Sequence, residues 1–115
     1  MKLARATLPK QAILVLDGAY AEYVEGFDGG AALATERPNV FMTRTFSKIY
    51  GLAGLRIGYG ICDPELASYL ERARHPFNVN RLAEVAAIAA LEDDEHVART
   101  REMNDAGARF LTESL

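Results

Sequence analysis

Ala12 to Leu16 reads Ala-Ile-Leu-Val-Leu without a polar interruption and stops at Asp17. Continuous rather than alternating apolarity suits a strand buried on both faces, as in a parallel sheet. Asn39 to Thr43 reads as a second strand. Arg56 to Cys62 reads as a third, with glycines where something can pack close. The link from Thr45 to Leu55 is too short for a parallel crossover, so strands two and three, if neighbours, are antiparallel. The gap from Asp17 to Asn39 is long enough to hold a crossover.

Gly18 to Val24 reads as a turn or short helix, broken at Asp28-Gly29-Gly30. Ala31 to Glu36 suits one or two helical turns. Asp63-Pro64 starts a helix well, with Asp as N-cap and Pro at the first helical position. That helix should run to about Arg74, with Leu66, Tyr69, Leu70 and Ala73 as its apolar stripe. His75-Pro76 stops it. Asn80 to Leu91 predicts a second helix with Leu82, Val85, Ala86, Ala89 and Ala90 at helical spacing. Asp93 or Asp94 caps a third, which carries Val97, Met103, Phe110 and Leu111 to the end of the chain. The class is α/β, strands first and helices after.

Composition removes several functions. A formal charge of −3 gives no clustered basic face for nucleic acid. One cysteine, Cys62, allows no internal disulfide and suits a reducing, cytoplasmic setting. No apolar run approaches a membrane helix, the first ten residues lack a signal-peptide core, and no spacing suggests a metal site. Both ends read as cut within a pattern. The expectation is a middle piece of a longer polypeptide.

Thr45, Ser47, Lys48 and Arg56 place two hydroxyls, an ammonium and a guanidinium on the link between two strands. Hydroxyls and a bidentate guanidinium are what a phosphate dianion needs, and a lysine beside them is a further phosphate contact or a nucleophilic amine. Asp17 bears on that choice. It ends a strand expected to be buried, where open α/β sheets place ligands, and a carboxylate there calls for a positive partner. Tyr20, three residues on, can face the same way. Pyridoxal phosphate presents an aldehyde, a phosphate, a ring nitrogen and a phenolate oxygen. The candidates are Lys48 for the first, Thr45, Ser47 and Arg56 for the second, Asp17 for the third and Tyr20 for the fourth.

The segments LDGAYAEY (16–23) and TRTFSKIYGLAGLRIGYG (43–60) resemble the fold-type-I aminotransferases, most closely their histidinol-phosphate branch, as does the stretch 75–104. The resemblance implies part of a large cofactor-binding domain over residues 1–92, built on a mostly parallel sheet with one antiparallel strand. It implies that 93–115 begin a long helix leading to a small domain. It implies that Lys48 carries the cofactor covalently, that Asp17 pairs with the ring nitrogen and Tyr20 with the phenolate oxygen, and that Thr45, Ser47 and Arg56 hold the phosphate. The expected reaction moves an amino group between L-histidinol phosphate and 2-oxoglutarate, in the cytoplasm. The alternatives are an aromatic-amino-acid aminotransferase, a related decarboxylase, or a piece without activity of its own. A homodimer is implied, with Asn78 and Asn80 near its interface. The family usually reads Asp-Glu-Ala-Tyr where this chain has Asp17-Gly18-Ala19-Tyr20; that second position is not a cofactor contact. An upstream phosphate loop, a ring-stacking aromatic and downstream substrate arginines have no counterpart in these residues.

Simpler roles stand beside these. Asp17 could be a helix N-cap, Tyr20 a core aromatic, and Thr45 a partner for a backbone group. Arg37 and Arg44 read as solvated charges, and His75 and His96 as surface or capping residues. Cys62 reads as a small buried hydrophobe, and Asn78 and Asn80 as caps or turn formers.

Overall fold

The computed structural model describes Pro9 and residues 11–115. β1 (Leu14–Asp17), β2 (Val40–Thr45) and β3 (Gly58–Cys62) form one sheet in the order β1-β2-β3. β1 runs parallel to β2, for which its link has room, and β2 antiparallel to β3, as the short link requires. The crossover from β1 to β2 carries a 3-10 turn at Ala21–Tyr23 and helix α1 (Ala31–Glu36). After β3 come α2 (Pro64–Ala73), α3 (Arg81–Leu91) and α4 (Asp94–Ser114).

α1 covers one face of the sheet. Leu33 and Ala34 on the helix pack with Val40 and Met42 on β2, joined by Leu14, Leu16 and Ile61. Strand periodicity therefore turns Ile13, Val15 and Asp17 to the other face. The expectation of a first strand buried on both faces is corrected here. Val15 is 58% exposed, because β1 is an edge strand and no described element covers that side.

The three late helices begin where their caps place them. Asp63 accepts from Glu65 N–H, Asn80 from Ala83 N–H and Asp93 from His96 N–H, each at 2.9 Å. Their apolar stripes are less covered than the periodicity implies. On α3 the buried positions are Ala83 and Ala87, while Leu82 is 77% exposed. Asn80 Nδ2 also donates to the Leu55 carbonyl (3.3 Å), which ties the start of α3 to the β2–β3 link and helps set which side of the helix turns inward. On α2 Tyr69 and Leu70 are exposed, and on α4 Met103, Phe110 and Leu111 are exposed.

β3 starts two residues later than the pattern suggested. Arg56 sits in the left-handed region (φ 55, ψ 52) and closes the 3-10 turn Ala53–Leu55, so the strand begins at Gly58. β2 in turn extends to Thr45, because Thr45 still pairs with Gly58. Cys62 is half-buried rather than buried.

Candidate active site

The parallel strands β1 and β2 end side by side, Asp17 opposite Thr43, and the antiparallel β3 begins at that same edge. Three connections therefore converge there: the turn after Asp17, the loop after Thr45 and the turn before Gly58. Asp17, Tyr20, Thr45, Ser47, Lys48 and Arg56 all lie on them. This is the end of an open α/β sheet at which ligands are usually bound.

The loop after β2 is closed by its own backbone. Gly51 N–H donates to the Lys48 carbonyl and Leu52 N–H to the Phe46 carbonyl, both at 2.9 Å. Gly51 has φ +70, a conformation that L side chains rarely adopt. The buried Phe46 and Ile49 root the loop, and Lys48 between them points outward and is exposed. Among the described residues the Lys48 ammonium has no carboxylate or carbonyl partner. It lies over the Tyr20 ring, 5.2 Å from the centroid. Thus the structure brings Lys48 and Tyr20 together.

The other side chains are shaped locally. Asp17 Oδ1 accepts from Ala19 N–H (3.0 Å), which turns the chain toward Tyr20. Asp17 is exposed, not buried, so the argument that burial demands a positive partner does not hold within this chain. The reason is the one-sided cover of β1. Tyr20 is 61% exposed and is not a core aromatic. Thr45 Oγ1 accepts from Ser47 N–H (3.0 Å) and so shapes the turn that presents Ser47. The Ser47 hydroxyl has no partner among the described residues. Arg56 Nη1 donates to the Ala53 carbonyl (2.8 Å), leaving its remaining donors for an anion. An unpaired amine, a carboxylate oxygen, a hydroxyl and a guanidinium on one sheet edge can hold a phosphate ester that carries an aldehyde.

Two residues read as surface groups, Arg44 and His96, are partly buried. Arg44 is 10% exposed and Glu22 11%, and they form an ion pair at 2.7 Å. Arg44 Nη2 also donates to the Asp28 carbonyl (2.6 Å). Strand alternation puts Arg44 on the face opposite Thr43 and Thr45, beneath the turn that follows β1. His96 is half-buried, and its Nε2 lies 3.0 Å from the Ile49 carbonyl. Glu22 and Arg101 were not singled out in the sequence at all, yet Arg101 Nε donates to the Glu22 carbonyl. No spacing signals a bond across 79 residues. Asn78 Oδ1 accepts from Arg74 Nη1 (3.0 Å), and Asn80 caps α3.

The whole chain, residues 1–115, matches the family model of aminotransferase class I and II. The chain belongs to this family. Among its class I and II aminotransferase relatives, the histidinol-phosphate aminotransferase of Ruegeria pomeroyi is 56% identical over 108 residues, covering 94% of this chain and 30% of the relative. That of Paracoccus denitrificans is 55% identical over 114 residues, covering 99% and 30%. The chain spans about 30% of the length of these curated relatives. Among solved structures, histidinol-phosphate aminotransferase from Sinorhizobium meliloti in complex with pyridoxal-5'-phosphate superposes with TM-score 0.77 at 39% identity, covering 87% of this chain and 27% of that one. L-threonine-O-3-phosphate decarboxylase from Porphyromonas gingivalis gives TM-score 0.70 at 28% identity, covering 86% and 31%. The decarboxylase shares the fold, while the two relatives named above, at 55–56% identity, are histidinol-phosphate aminotransferases.

Proposed function

We propose that this chain forms the cofactor-holding part of a pyridoxal-phosphate aminotransferase. The proposed reaction transfers the amino group of L-histidinol phosphate to 2-oxoglutarate, giving imidazole-acetol phosphate and glutamate. The observation that carries the reading is the Lys48 ammonium over Tyr20, without an acidic partner among the described residues, on the sheet edge that also holds Asp17, Ser47 and Arg56. Relatives at 55–56% identity supply the substrate.

When bound, the cofactor supplies an aldehyde that accepts amino groups and a protonated ring that takes up the electrons of the substrate's Cα–H bond. Lys48 would hold it covalently and, as a free amine, would carry the Cα proton. Asp17 would keep the ring nitrogen protonated. Tyr20 would donate to the phenolate oxygen. Ser47 and Arg56 would bind the phosphate, with Thr45 as a further contact.

In this reading residues 1–92 belong to the cofactor domain, and α4 opens the connection to a second domain. The active form is a homodimer in the cytoplasm, with Asn78 and Asn80 near its interface; the exposed Phe77 and Leu82 beside them support that placement. Among the described residues no helix is long and apolar enough to cross a membrane.

The test is to incubate the protein with pyridoxal phosphate, reduce with borohydride and map the adduct by mass spectrometry. A pyridoxyl group on Lys48, absent in Lys48→Ala, is expected. Reduction at Lys2 or Lys10 as readily as at Lys48 would show nonspecific amine chemistry and overturn the assignment.

A further inference from the structure

We infer that His96 and Arg101 are positioning residues for this site: from one helix they hold the Lys48 loop and the Asp17–Tyr23 turn in fixed relation. The consequence for cofactor binding rests on the reading of Lys48 given above.

The two segments meet at the site but are far apart in sequence; each is closed by short hydrogen bonds and joined to the sheet, the first by Phe46 N–H to the Ile57 carbonyl, the second by Gly18 N–H to the Thr43 carbonyl and by the Glu22–Arg44 ion pair. Residues 46–52 are held by the Gly51–Lys48 and Leu52–Phe46 bonds, residues 18–24 by Ala21–Gly18, Tyr23–Tyr20 and Val24–Ala21. Each presents one further carbonyl to α4. The Ile49 carbonyl receives His96 Nε2 at 3.0 Å. A carbonyl only accepts, so Nε2 is the protonated nitrogen. The Glu22 carbonyl receives Arg101 Nε. Asp93 sets the first turn of α4 by accepting from His96 N–H, and so aims the imidazole. Five residues along a helix rise about 7.5 Å, so one rigid element spans both attachment points. The Lys48–Tyr20 contact at 5.2 Å lies across this junction. Small displacements there separate the amine from the groups that hold the rest of the cofactor.

Neither side chain has a role in the chemistry proposed for Lys48, Asp17, Tyr20, Ser47 or Arg56. The test compares wild type with His96→Ala, His96→Gln, Arg101→Ala and Arg101→Lys, where Gln and Lys retain an N–H donor. Amide hydrogen exchange is read at Gly51 and Leu52 for one loop and at Tyr23 and Val24 for the other. His96→Ala should speed exchange at the first pair, and Arg101→Ala at the second, by roughly tenfold, with the Gln and Lys variants closer to wild type. Both alanine variants should weaken pyridoxal phosphate capture by roughly tenfold with the helical circular-dichroism signal unchanged. Alanine variants that exchange and bind like wild type would overturn the inference. So would Gln and Lys variants no better than Ala. Failure of wild type to form the Lys48 adduct would instead sink the cofactor reading, while the exchange measurement still decides the tether.

Discussion

At the scale of single residues, chemistry and support divide between the two faces of β2. Thr43 and Thr45 face the side of Asp17, whereas Arg44 faces inward onto Glu22. Glu22 Oε2 and Arg44 Nε are buried without a hydrogen-bond partner among the described residues. For such a pair desolvation offsets much of the attraction. Removing one partner should cost much more than removing both. Arg44→Ala is expected to lower unfolding free energy by about 2–4 kcal/mol, and Glu22→Gln combined with Arg44→Met by less, in urea denaturation. A double variant that loses as much as Arg44→Ala would show that an unpaired Glu22 charge is not what costs the stability. For Asp17, which keeps one carboxylate oxygen uncommitted, Asp17→Ala in the active enzyme should reduce turnover by well over tenfold, more than about 1.4 kcal/mol of barrier, while phosphate anchoring persists. A smaller loss in steady-state kinetics would leave Asp17 only its bond to Ala19.

Elements here are defined by their ends. Asp28 closes the glycine break before α1 by accepting from Gly30 N–H (2.9 Å) and Ala32 N–H (3.0 Å). These two bonds hold its carboxyl below the ordinary 3.8; desolvation opposes them and the Arg44 charge assists. A carboxyl lowered on folding stabilises above its unfolded pKa, and the contribution fades as pH falls through the folded value. Wild type should therefore lose stability in acid below about pH 4, and Asp28→Asn should show a flatter pH dependence. Thermal midpoints across that range measure it, and parallel curves for the two proteins would remove Asp28 from the acid response. At α4, Asp93→Ala should cost about 1 kcal/mol, the usual loss for an N-cap. The same variant should also loosen the Lys48 loop through His96.

The molecule as a whole is more open than its length requires. Its radius of gyration is 16.6 Å, against about 13 Å for a compact domain of this size. Leu82 on α3 and Phe110 on α4, 68% exposed, belong to apolar stripes that no described residue covers. β1 is an edge strand among the described residues, with Val15 exposed on it and Ile13 exposed just before it. A polypeptide of residues 1–115 alone is expected to associate with rising concentration and to show no amino transfer from glutamate. Sedimentation velocity and a glutamate assay test both; a stable monomer with catalytic turnover would contradict the expectation.

The sequence by itself determined the element order, the antiparallel sense of the second and third strands as neighbours, room for a crossover between the first and second, and the six candidate site positions. These depend on local quantities: link length, cap chemistry, apolar runs and the spacing of hydroxyl, amine and guanidinium. Tertiary structure decided which faces are covered, and there the sequence reading failed. AILVL has the composition of a two-sided core strand, yet it lies at an edge with a helix on one side only. Arg44 and His96 have the composition of surface groups, yet each is drawn inward by a partner 22 and 47 residues away. Periodicity reports that a face is apolar or polar. Only the packing of distant segments determines what, if anything, lies against it, because the energy of burial belongs to pairs of surfaces and not to either one alone.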